Sequence, residues 1–143
     1  MRKMVSMLLI LLFLLPFFGC ADKEPPQLVP PPEEVSSVTI WWSSPNVTKK
    51  AKEISGQEDI AAFLQRMNSA ESHGSYTHLP SGGQTFSMIL NLRDNTAFSC
   101  MYYQSGASDG YYTDGTVKLR ISSLDLKTAW EELPYPELSD DPP

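Results

Sequence analysis

The sequence predicts an α+β domain, an antiparallel sheet of four to five strands with two amphipathic helices packed on one face. Three observations lead there. Residues 38–42, 86–92, 98–102 and 117–121 carry apolar side chains at every second position, and short polar turns separate them. Strands joined so closely run antiparallel. Two other stretches, 55–69 and 122–133, place apolar residues three and four apart, the spacing of one helix face. A sheet and two one-sided helices bury their apolar surfaces by packing as two layers.

In "SVTIWWSS", Val38, Ile40 and Trp42 point one way and Thr39 and Trp41 the other, and "SSPN" turns the chain. "VTKKAKEI" alternates weakly on Val47, Lys49 and Ala51 and reads as a second, more exposed strand. In "SGQEDIAAFLQRMNSA", Ser55 and Glu58 have the spacing of a capping box, where each side chain satisfies the other's free backbone N–H. Ile60, Phe63, Leu64 and Met67 then form one apolar stripe. The polar, glycine-rich "SHGSYTHLPSGG" reads as a long loop. "TFSMILNLRDNTAFSCMYYQ" is a hairpin, with Phe86, Met88, Leu90 and Leu92 on one arm and Phe98, Cys100 and Tyr102 on the other. Asp114-Gly115 marks a second hairpin, turning Val117, Leu119 and Ile121 inward. Ser122 or Ser123 caps a last helix, whose stripe is Leu126, Ala129, Trp130 and Leu133 and whose stop is Pro134.

The N-terminus has a different character. Arg2 and Lys3 precede an apolar run from Val5 to Phe18, interrupted only by Ser6 and Pro16, and Gly19 and Cys20 follow. A basic start, a short apolar stretch and a small residue at the cut describe an export signal. A membrane-spanning helix wants about 20 apolar residues. Cys20 then admits three readings: a lipid attachment point, a disulfide partner for Cys100, or one more apolar residue of an uncleaved anchor. The Gly19-Cys20 ending resembles a bacterial lipoprotein signal. That resemblance implies that residues 1–19 are removed and that Cys20 becomes the first residue, its sulfur carrying a diacylglycerol. Acyl chains of the palmitate kind would then hold the protein to the outer side of the cytoplasmic membrane. The order of elements behind the signal is similar to that of small Gram-positive lipoproteins of unknown function.

Residues 20–34 read as a proline-rich tether, since 21–34 hold five prolines and five charged residues. Such a segment is extended and semi-rigid, at about 3.1 Å per residue, for a reach of roughly 40 Å. Residues 35–134 form the globular domain, and 135–143 an acidic, proline-rich tail. The formal charge is −6, from 11 basic and 17 acidic residues. Loss of residues 1–19 takes away Arg2 and Lys3 and no acid, which moves it to −8. A chain this acidic is poorly suited to neutralising the phosphates of a nucleic acid or to lying on anionic lipid. Membrane attachment falls to the acyl chains, of which two or more hold firmly.

His73 and His78 are the residues most able to do chemistry, with Glu71 nearby. A metal site would need further ligands on a rigid scaffold, so the pair reads as solvated loop histidines. Asp109 and Asp114 read as turn formers, because "DGYYTDGT" departs from calcium-loop spacing. Asn46 stands in a glycosylation sequon, which matters only in a eukaryotic secretory pathway. No phosphate loop, nucleophile elbow or HExxH occurs in the sequence. Catalytic residues, metals and cofactors are therefore not expected. Cys100, inside an apolar strand, reads as a buried, inert thiol.

Aromatic residues come in adjacent pairs, Trp41-Trp42, Tyr102-Tyr103 and Tyr111-Tyr112. Neighbours on a strand face opposite ways. Trp41, Tyr103 and Tyr111, with Ile89 and Met101, thus mark the uncovered sheet face, either ordinary surface or a patch for a protein partner in the cell envelope. The function expected is a membrane-anchored, non-enzymatic binding or accessory domain. The alternatives are a cell-envelope hydrolase with His73 or His78 as base, and an inhibitor presenting loop 71–83 to a secreted enzyme.

Overall fold

A computed structural model describes residues 25–138. Seven strands form one antiparallel sheet: β1 (Val35–Ser44), β2 (Val47–Ile54), β3 (Glu71–Ser75), β4 (Gln84–Leu92), β5 (Ala97–Gln104), β6 (Gly110–Thr113) and β7 (Lys118–Ser122). They lie in the order β2-β1-β4-β5-β6-β7-β3. Helix α1 (Gln57–Asn68) joins β2 to β3, and α2 (Leu126–Glu132) follows β7. The α+β class and the two helices agree with expectation, but the sheet is larger than four to five strands. The unexpected strand is β3, which lies in the stretch expected to be a loop. Its five residues, ESHGS, are all exposed and carry no apolar alternation. Backbone pairing places it beside β7, with Glu71 opposite Ser122 and Ser72 opposite Ile121 and a bulge before Ser75, and one side-chain hydrogen bond, between His73 and Ser122, joins the same two strands.

This strand order dictates where the helices go. β2 and β3 are opposite edges of the sheet, so α1 crosses all of it and lays Ile60, Phe63, Leu64 and Met67 on one face. Helix α2 returns over the same face, burying Leu126, Ala129 and Trp130. Val38, Ile40, Trp42, Phe86, Met88, Leu90, Cys100, Tyr102, Tyr112 and Ile121 meet the helices from the strands. Two expected phases change. In β2 the inward residues are Lys52 and Ile54, because Ile54 pairs with Val38 and Lys52 with Ile40. Val117 stands in the β6–β7 turn and is 41% exposed, leaving Leu119 and Ile121 to face the core.

Both helix caps also differ from the sequence pattern. Helix α1 starts at Gly56, with no side-chain cap from Ser55. The Gly56 N–H donates to the Tyr135 hydroxyl at 2.9 Å, which in turn donates to Asp59 Oδ2 at 2.7 Å. Asp59 thus reaches back to the cap through an inserted phenol, the task expected of Glu58. Helix α2 is capped by Asp125 rather than Ser122 or Ser123: its carboxylate accepts from Thr128 N at 3.0 Å and Thr128 Oγ1 at 2.6 Å. Ser122 is still in β7, and Ser123 takes a left-handed φ of 62° to turn the chain toward α2.

Two buried polar side chains clip α2 to the sheet. Gln104 Oε1 accepts from Leu126 N at 3.0 Å and Lys127 N at 3.1 Å, satisfying two amides of the helix start. Its Nε2 donates to Asp125 Oδ1 at 3.0 Å and to Ala107 O at 2.9 Å. At the other end Lys52, only 8% exposed, donates from Nζ to Trp130 O at 2.9 Å and Leu133 O at 3.0 Å. Packing also runs past both expected domain boundaries. Leu28 and Val29, within the stretch read as a tether, are buried, and Asn68 Oδ1 accepts their backbone N–H groups at 2.9 and 3.1 Å. Tail residue Leu138 donates its N–H to Ala51 O at 2.8 Å, and Glu137 pairs with Lys50. No helix among the described residues is long and apolar enough to cross a membrane.

Two predictions follow from the buried groups. Gln104→Ala orphans two helix amides, and each buried unpaired group costs about 1–3 kcal/mol; chemical denaturation is expected to show a loss of about 2–4 kcal/mol. Burial pushes the Cys100 thiol up to about 12, against about 8.5 in an unfolded chain. The folded state therefore keeps its proton while the unfolded state loses it. Stability from this group is complete below pH about 8.5 and is lost as pH rises toward 12. A Cys100→Val variant should show a flatter decline in denaturation midpoint between pH 8.5 and 10 than the parent. Burial also raises Tyr102 and Tyr112, so both proteins should weaken further above pH 10.

Candidate functional site

With the helices on one face, the other face of the sheet carries the candidate residues. Strand register sets its rows. Ser43, Thr85, Tyr103, Tyr111 and Arg120 stand in one row across β1, β4, β5, β6 and β7, and Trp41, Ser87, Met101 and Thr113 in the next. Tyr103 and Tyr111 are neighbours, their ring centroids 6.3 Å apart. Tyr76 meets Tyr111 edge-on at 5.1 Å. Trp41 stands two strands from Tyr103, about 10 Å across the sheet, with Lys49 Nζ 5.4 Å from its ring centroid. Of the three aromatic residues singled out by sequence, the fold brings two together and holds the third apart.

The connection from β3 to β4 has to pass β7, β6 and β5, and residues 76–83 do so as a strap over this face. The Tyr103 hydroxyl donates to Pro80 O at 2.6 Å and accepts from Gly83 N at 2.5 Å. A Cβ on Gly83 would lie 2.5 Å from Tyr103 Cζ, so glycine lets the strap settle on the ring. His78 lies in the strap, its Nδ1 2.9 Å from Thr77 Oγ1.

Beside Tyr111 the face opens into a cavity of about 380 Å³, lined by His73, Ser105, Asp109, Tyr111, Arg120 and Ser122 over a floor of Gly110 and Ile121. At Gly110 an added Cβ would come within 2.4 Å of Tyr103 O, so glycine permits the close approach of β6 to β5 beneath the cavity. His73, expected in a solvated loop, sits on β3 with Nε2 at 2.6 Å from Ser122 Oγ. Asp109 closes the loop before β6, its carbonyl accepting from Ser105 N at 3.0 Å and Gly106 N at 3.2 Å. Arg120 is exposed and makes no ion pair among the described residues, and none links it to Asp109. Asp114 lies apart, in the β6–β7 turn. Backbone hydrogen bonds from Val117 and Thr116, at 2.9 and 2.8 Å, hold its carboxyl below the usual range.

Hydroxyls, an imidazole, a carboxylate, a guanidinium and an aromatic wall thus converge from three separate parts of the chain. The set can donate and accept many hydrogen bonds at once, and the His73–Ser122 spacing is that of a base and a hydroxyl nucleophile. Sequence reasoning found His73 and Tyr111 but missed Arg120 and Ser122 as site residues, because β3–β7 pairing joins positions almost fifty residues apart. The described residues contain no group of three or more His, Cys, Asp or Glu able to hold a metal. A smaller cavity of about 150 Å³ between the helices is bordered by the Arg66–Glu132 ion pair. Cys20 lies outside the described residues.

Tyr103→Phe keeps the ring but removes both strap hydrogen bonds. Limited proteolysis should cut residues 76–83 several-fold faster in the variant, with a stability loss of about 1–2 kcal/mol. Comparison with protein-family models, with curated proteins and with solved structures gives no match to this chain.

Proposed function

We propose that the protein is a membrane-anchored extracytoplasmic lipoprotein whose globular domain serves as a non-enzymatic binding module. The observation that carries the anchoring is the N-terminal pattern itself: Arg2 and Lys3, an apolar run too short to span a bilayer, and Gly19 next to Cys20. Lipid on the Cys20 sulfur holds the chain at the outer side of the cytoplasmic membrane, and the acidic domain needs no lipid contact of its own. The binding role is supported by the cavity beside Tyr111, where polar groups of varied chemistry meet one aromatic wall. Mass spectrometry of protein extracted from membranes tests the anchor. The expected N-terminal residue is Cys20 carrying acyl chains, and Cys20→Ser should release the domain from the membrane fraction. An intact Met1 on the extracted protein would overturn it.

A hydrolase is the second reading, favoured by the 2.6 Å separation of His73 Nε2 and Ser122 Oγ. A base that activates a serine is itself oriented by a third group, and among the described residues His73 Nδ1 has no side-chain partner. Binding therefore ranks first. If Ser122 is a nucleophile, Ser122→Ala and His73→Ala each abolish function in cells. If the domain only binds, their effects are partial and unequal.

A further inference from the structure

The chemistry of the cavity narrows its ligand. We propose that it binds a saccharide bearing a carboxylate, a proposal that rests on the binding-module reading and names its ligand class. Six of the lining side chains, those of His73, Ser105, Asp109, Tyr111, Arg120 and Ser122, end in nitrogen or oxygen. His73 Nε2 and Ser122 Oγ already bond each other, and Ser105 Oγ donates to Asp109 O at 3.3 Å. An apolar ligand would nevertheless strip water from the Arg120 guanidinium and the Asp109 carboxylate and leave both unpaired, whereas a polyhydroxylated ligand gives each a partner. The volume, about 380 Å³, is within the range of small-molecule sites. Tyr111 supplies the wall that a sugar ring needs, since the negative face of an aromatic attracts the C–H edges of an apolar surface.

The charges identify the acid. Arg120 is unpaired among the described residues, and its planar fork matches a carboxylate with two parallel hydrogen bonds. The chain as a whole carries −6, so its overall field repels anions and a local cation must supply the attraction. Asp109 sets the limit on ligand charge. Its carboxylate in the same cavity repels a phosphate dianion more strongly than a single carboxylate, while it accepts readily from sugar hydroxyls.

The test uses full-length protein in detergent micelles and two probes: a disaccharide of glucuronic acid and N-acetylglucosamine, and its methyl ester. Calorimetric titration should show the acid binding about tenfold or more tightly than the ester. Arg120→Gln should abolish that preference, and Tyr111→Ala should weaken both probes alike. Arg66→Gln, on the helical layer, should change neither. Because the acid–ester comparison is made on the unaltered protein, it does not depend on any variant folding. Absence of binding, equal binding of acid and ester, or equally tight binding of a short peptide through its C-terminal carboxylate would each overturn the proposal. Cleavage of the bound disaccharide would uphold the site and overturn the non-enzymatic reading. The mass of the same preparation reports on Cys20 independently, so failure of the anchor and failure of the ligand are told apart.

Discussion

The seven residues of α2 are held at both ends by side chains from the sheet. An isolated helix shorter than about 12 residues is marginal in water, so α2 exists because its ends are satisfied. Gln104 and the Asp125 carboxylate take the amides at its start, and the Lys52 ammonium takes carbonyls at its end. The signs also suit the helix dipole, negative at the start and positive at the finish. Both clips occupy core-face positions that would otherwise be apolar. Without them the helix would leave Trp42 and Trp130, 6.0 Å apart, facing water.

The same glutamine reaches the other side of the molecule. Its Nε2 bonds to Gly106 and Ala107 carbonyls, which fixes the loop that carries Ser105 and Asp109 to the cavity. The helical layer and the open face are thus joined by one side chain. Close packing on one face and a polar concavity on the other are two outcomes of a single sheet. Its alternation sends Tyr102 and Tyr112 inward and Tyr103 and Tyr111 outward.

Most of this architecture was legible in the pattern of side chains. Period-two runs in β1, β4 and β5 and the stripe of α1 name the core correctly, because burial on one face forces the spacing. What was illegible depended on distant partners. β3 has no apolar residue to reveal it and exists through hydrogen bonds to β7. Lys52 looked like surface and is buried because α2 offers carbonyls to its ammonium. The phenol at the start of α1 comes from Tyr135, which a local capping pattern cannot foresee. The candidate site shared this limit. Tyr103 and Tyr111 could be placed on the open face by parity alone, whereas Arg120 and Ser122 acquired meaning only when β3 brought His73 beside them.

The margins of the sheet bear on how the molecule behaves in company. An unguarded outer strand is a template on which another chain can continue the ladder. At one margin Leu138 lies along β2 and occupies a backbone acceptor there. At the other, β3 is short, wholly polar and broken by a bulge. Neither side presents a straight, greasy ribbon for a neighbour to copy, so molecules gathered closely together remain individuals instead of fusing edge to edge into fibres.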